Sequence, residues 1–147
     1  MNALEGEFRG AIGSVVSRIR RVVYEFKGEV TTDSGPLEIT LASDLIWIFD
    51  AGPDGETLHL SKGPWSDPFI GQVSAENRKY VDDHGKWTAR EVSALPPFSS
   101  LVGRALTGYQ LVRSPRGLVT GVVLEVDGVS ARIAADSDEL HVDISGD

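Results

Sequence analysis

Two stretches of this chain repeat one another in order, and a duplicated unit limits what 147 residues can fold into. Residues 8–19 (FRGAIGSVVSRI) align with residues 98–109 (FSSLVGRALTGY). Phe8 meets Phe98, Gly13 meets Gly103 and Ser17 meets Thr107, while four other columns stay apolar. Further on, Gly35-Pro36-Leu37-Glu38-Ile39 resembles residues 121–126 with one gap. The halves close on Leu58-His59-Leu60 and Leu140-His141-Val142, each preceded by an acidic loop. The anchors keep their order, with offsets of 90, then 86 or 87, then 82. Two copies cannot make a solenoid, which needs about three or more repeats. They make a pseudo-symmetric pair, and each copy must bury its apolar face, here against the other.

Each unit reads as a short helix followed by a β-meander. In the first, Asn2 can cap a helix, Glu5 and Glu7 suit its positive end, and Leu4, Phe8 and Ile12 lie four apart on one face. Gly13 is placed to stop it. In the second, Pro97 opens a briefer helix, Phe98 and Val102 share a face, and Gly103 ends it. Residues 15–26 are rich in β-branched residues with imperfect spacing, which predicts a strand with a bulge or a partial helix. Residues 37–41, 45–49 and 57–61 complete the first meander, with a turn at Asp54-Gly55. In the second, Asp127-Gly128 separates strands at 122–126 and 129–135, and this dipeptide suits the positive φ values of a tight hairpin. Residues 140–144 alternate and end the sheet. The expected fold class is therefore α+β: two pseudo-symmetric repeats packed as a sandwich or partly closed barrel. The divisions are residues 1–61, a connector at 62–97, and residues 98–147, forming one compact domain.

The connector has its own character. Two prolines in five residues keep 64–68 out of regular structure. Ser74 then caps a helix over 75–84, closed by Gly85, and residues 87–95 read as extended. Trp65, Phe69 and Trp87 all fall here. Large aromatic side chains beside prolines either anchor an interface or pin the connector onto the core.

Charge and composition exclude several functions. The net charge is −8, which disfavours a nucleic-acid partner, since phosphate binding needs a basic face. It suits a basic protein partner, and solubility explains it equally well. There are no cysteines, so disulfides and thiolate metal sites are ruled out. The first residues have no basic start or apolar run, and no stretch is long enough for a membrane span, so a cytoplasmic protein with no membrane partner is expected.

No catalytic motif stands out. There is no phosphate-binding glycine loop and no nucleophile elbow. His59 and His141 hold matching strand positions, but no second histidine or cysteine completes a ligand set, so they read as outward-facing. The acidic loops carry Asp50, Asp54 and Glu56, then Asp136, Asp138 and Glu139. Their spacing does not match a calcium loop, and turn chemistry or partner recognition explains them. Arg18, Arg20 and Arg21 form a short basic stripe that balances nearby carboxylates. No catalytic residue, cofactor or metal is expected.

The segments at 63–69, Ser74-Ala75-Glu76-Asn77, His84-Gly85-Lys86-Trp87 and 98–103 together resemble small uncharacterised bacterial proteins, some of them immunity-protein-like. That resemblance implies a protein partner and supplies no functional residue. Two readings stand. The first is a non-enzymatic protein-binding module, possible contacts being Trp65, Phe69, Trp87, Asp54, Glu56, Asp136, Asp138 and Glu139. The second is a small-ligand-binding protein or an enzyme, its site between the two repeats.

Overall fold

A computed structural model describes residues 3–27, 29–32, 34–66, 76, 79 and 85–146. The chain opens with a helix, α1 (Ala3–Gly10), with Glu5 in its first turn and Arg9 in its last. It ends three residues before Gly13. A turn at 11–13 follows, and Gly13 takes φ +96°, which reverses the chain into the first strand.

The first sheet is built on β1 (Val16–Phe26), long enough to take partners on both edges. One edge pairs with β2 (Glu29–Thr32) near its end and with β3 (Leu37–Leu41) near its start. Then β4 (Ile46–Ala51) and β5 (Leu58–Lys62) continue antiparallel. The other edge of β1 pairs with β6 (Lys86–Glu91), so the connector contributes a strand to the first sheet. A 3-10 turn (Phe98–Ser100) leads into the second sheet. There β7 (Leu106–Arg113), β8 (Val119–Val126), β9 (Val129–Asp136) and β10 (Glu139–Gly146) form an uninterrupted meander. Asp127 (φ 46°) and Gly128 (φ 87°) make the tight β8–β9 turn that this dipeptide favours.

The sheets are stitched where each begins. Gly13 N–H donates to Leu106 O (2.8 Å), and Gly103 N–H donates to Val16 O (2.8 Å). Val16 N–H donates to Arg104 O (2.9 Å), and Leu106 N–H to Ser14 O (2.9 Å). Exchanging 13, 14 and 16 for 103, 104 and 106 maps this set of bonds onto itself. Val15 pairs with Ala105 at its centre. Each sheet then has a bulge at its second residue, Ser17 or Thr107. Ser17 Oγ donates to Thr40 O, and Thr107 Oγ1 donates to Glu125 O, both at 3.1 Å.

One apolar cluster lies between the sheets. Strand alternation turns Trp47 and Phe49 of β4 inward, with Ile19 of β1 and Leu37 and Ile39 of β3. Facing them are Val122 and Leu124 of β8, Ala131 and Ile133 of β9, and Leu140 of β10. Phe8, the buried residue of α1, inserts its ring beside Trp47 (5.3 Å, edge-on), Phe49 (6.2 Å, stacked) and Tyr109 (5.6 Å).

Among the described residues, helix content is smaller than an α+β reading implies. Apart from the helical Glu76 and Lys79, the described residues form one α-helix and ten strands in two antiparallel sheets, a mostly-β architecture. The helix expected to open the second unit is only a 3-10 turn. Pro96 and Pro97 restrict its approach, and three residues to Ser100 leave no room for α-helical bonding. The connector helix expected at 75–84 falls mostly outside the described residues, with Glu76 and Lys79 helical.

Candidate functional site

Alternation that sends Ile19 and Phe49 inward sends Arg20, Val22, Tyr24, Glu38, Asp50 and Trp87 to the opposite face of the first sheet. The chain leaving β5 crosses this face and is clamped there by a buried ion pair. Arg20 Nε and Nη2 donate to Glu38 Oε1 (2.7 Å) and Oε2 (2.6 Å). Trp65 N–H donates to Glu38 Oε2 (2.9 Å), and Arg20 Nη2 also donates to Trp65 O (3.1 Å). Both backbone groups of Trp65 are thus satisfied by one salt bridge. Glu38 is only 1% exposed. Burial pushes its carboxyl up, yet the hydrogen bonds from Arg20 and Trp65 and the guanidinium charge outweigh that and hold it below the usual glutamate value.

Trp87 stands opposite Tyr24 across the β1–β6 pair, their rings edge-on at 5.2 Å. It remains 40% exposed, and it is positioned by a glycine. A Cβ on Gly35 would sit 2.5 Å from Val22 O and 2.7 Å from the Trp87 ring. Gly35→Ala is therefore expected to displace Trp87 and cost about 1–3 kcal/mol. Urea melts and a change in tryptophan emission check this, and unchanged emission with unchanged stability contradicts it.

The two acidic loops, far apart in sequence, meet at the rim of this face. Asp138 N–H donates to Gly55 O (2.9 Å), while Ser34 accepts Leu140 N–H through its carbonyl (2.8 Å) and donates its hydroxyl to Glu139 Oε2 (2.7 Å). Asp54 serves its own turn. It accepts the Thr57 hydroxyl and the backbone N–H groups of Glu56 (3.0 Å) and Thr57 (2.8 Å), which lower its pKa to about 2. Asp50 behaves oppositely. It is half-buried, burial pushes its carboxyl up, and only the neighbouring Ala51 N–H (2.8 Å) and the charge of His59, its cross-strand partner on β5, oppose this. Among the described residues no salt bridge includes it.

These pieces enclose a cavity of about 860 Å³. Val22, Tyr24, Gly35 and Pro36 form its floor, Trp65 and Trp87 stand on its sides, and Asp50, Lys86, Asp138 and Glu139 line its polar part. Of the residues singled out from sequence, Asp50, Trp65, Trp87, Asp138 and Glu139 share this cavity. Asp54 and Glu56 flank it through the Gly55–Asp138 contact, and Asp136 pairs with Glu139 at the base of the β9–β10 turn. Phe69 lies outside the described residues. The cavity sits on the outer face of the first sheet, and only Asp138 and Glu139 reach it from the second. Sequence reading missed Tyr24 and Gly35, whose roles come from cross-strand register, and it did not separate Asp50 from its acidic neighbours.

A second, smaller opening of about 440 Å³ lies between the sheets, lined in part by Arg21, Arg90, Phe98 and His141. Arg21 is buried and donates to Leu140 O, and Arg90 is paired with Glu25. His59 and His141 are each exposed on their strands.

No protein-family model, curated protein or solved structure matches this chain. Among the described residues, no helix is long and apolar enough to cross a membrane.

Proposed function

We propose that this protein is a non-enzymatic binding module that takes its ligand in the aromatic and acidic cavity on the outer face of the first sheet. The observation that carries this is convergence: Trp65, Trp87, Asp138 and Glu139, drawn from three separate parts of the chain, line one cavity of about 860 Å³. That volume falls within the range of about 300–1,000 Å³ usual for small-molecule sites. Its side chains also suit binding. The Arg20–Glu38 clamp holds the backbone of Trp65 at the cavity, and the Trp87 ring packs against Gly35 and Tyr24. Trp87 reports on occupancy directly. Small-molecule extract of the host is expected to change tryptophan emission and raise the melting temperature, and Trp87→Ala is expected to weaken both changes. An extract that moves neither signal rejects the reading.

A second reading, a basic protein partner as for an immunity-like module, draws support from the exposed carboxylates beside the cavity, Asp54, Glu56 and Asp136. A basic protein captured stoichiometrically by the wild type, and lost on Asp138→Asn with Glu139→Gln, favours it over the first.

We also propose that residues 1–61 and 98–147 are copies of one unit joined by the connector. The exchanged hydrogen bonds about Val15 and Ala105 and the paired bulges at Ser17 and Thr107 support this. Gly13 (φ +96°) and Gly103 (φ +84°) have no atom within 4 Å of an added Cβ. Alanine at either is expected to cost about 1–2 kcal/mol from backbone strain alone. Equal costs in urea melts fit matched sites, and costs differing several-fold speak against them.

A further inference from the structure

Resting on the ligand-binding reading, we infer that the cavity selects a small organic cation, an amine or guanidinium head carried on an apolar body. The charged head is placed at Asp50 and the body between Trp65 and Trp87.

Charge excess is the first support. The described wall holds three carboxylates, Asp50, Asp138 and Glu139, against one ammonium, Lys86. Two of the three already have local roles: Glu139 accepts the Ser34 hydroxyl, and Asp138 is held against Gly55. Asp50 is different. It is half-buried on the sheet face and salt-bridged to no described residue, and its one hydrogen bond comes from the next residue's backbone. A partly desolvated carboxylate gains most from a cation brought to it, because the solvent that would screen the pair is already thinned. Burial raises the pKa of Asp50, in keeping with its partial desolvation. An anionic ligand meets repulsion here, and a neutral one leaves the deficit in place.

The aromatic walls are the second support. Indole faces attract cations through their quadrupole, and Trp is the strongest of the aromatic side chains in this. Trp87 is 40% exposed yet fixed by Gly35 and Tyr24, and Trp65 is held by both of its backbone groups. Partly exposed indoles that share a cavity with a half-buried carboxylate suit an alkylammonium or alkylguanidinium group.

The test uses the full chain and three probes of nearly equal shape: phenethylamine, 2-phenylethanol and phenylacetate, with a neutral hexose and a capped oligolysine peptide as further arms. Calorimetry is expected to show the amine binding about tenfold or more tighter than the alcohol, with the carboxylate not binding. Asp50→Asn keeps an acceptor for Ala51 N–H and is expected to erase that preference while leaving the melting temperature unchanged. If the alcohol or the hexose binds as well as the amine, the cation inference fails and the cavity reading survives. Oligolysine bound without any free amine overturns the small-molecule form in favour of the basic protein partner. If no probe binds and host extract leaves tryptophan emission unchanged, both readings fall.

Discussion

Phe8→Ala is expected to lower the unfolding free energy by about 3–5 kcal/mol, the range for deleting a fully buried aromatic side chain. Phe8 is 0% exposed, and its ring contacts Trp47 and Phe49 of the first sheet and Tyr109 of the second. The cavity left behind is walled by rings on rigid strands, which collapse poorly, so the upper part of the range applies. The change also releases α1. A helix of eight residues has no stability of its own in water, and α1 stays folded because Phe8 and Leu4 dock it on the core. Urea denaturation followed by tryptophan fluorescence measures the loss, and far-UV circular dichroism follows the helix. Phe8→Leu is expected to recover most of it. A cost under about 1 kcal/mol for the alanine variant contradicts a central role for Phe8 in the core.

Removing the charge of Glu38 is the second large effect. Glu38→Gln preserves shape and keeps an acceptor for Trp65 N–H, but it leaves the Arg20 guanidinium without its counter-charge. Breaking a buried pair from one side costs about 3–5 kcal/mol. The Arg20 side chain retains 18% exposure and can recruit water, so about 3 kcal/mol is expected. The site suffers as well, because the same carboxylate holds Trp65 at the cavity wall. A smaller loss in the Arg20→Met, Glu38→Leu double variant than in Glu38→Gln identifies the uncompensated charge as the cause. A fully stable Glu38→Gln variant contradicts the clamp.

Acid should reproduce part of that loss. The folded carboxyl of Glu38 lies below its unfolded value, so its stabilising effect is complete above the ordinary glutamate pKa and disappears as pH falls through the lower folded value. Tryptophan emission that shifts in this acid window in the wild type, and does not in Glu38→Gln, is the expected result.

The two kinds of element differ in how much the sequence reveals of them. Residues 37–41 and 129–135 alternate apolar and polar side chains, and Asp127-Gly128 favours positive φ. Both signals act over a few residues, and β3, β9 and the hairpin between β8 and β9 lie where they point. The segment after Pro97 carries an equally local helical spacing, yet it makes only a 3-10 turn, because the chain must enter β7 a few residues later. At the cavity the contrast is wider. Trp65 and Trp87 stand out in the connector by composition, but nothing near them in sequence announces that Arg20 and Glu38 will clamp one or that Gly35 will make room for the other. Those contacts depend on β1 pairing with β3 on one edge and β6 on the other.

What can be read from the order of residues is therefore short-range: where strands run, which side chains alternate and where glycine turns the chain. Which outer face is covered, which acid loses its solvent and which distant loops touch are long-range outcomes. They follow from strand pairing and burial, since Asp50 and Asp54 differ by four positions and share one chemistry. Desolvation in the cavity wall raises the pKa of the first, and turn hydrogen bonds lower that of the second.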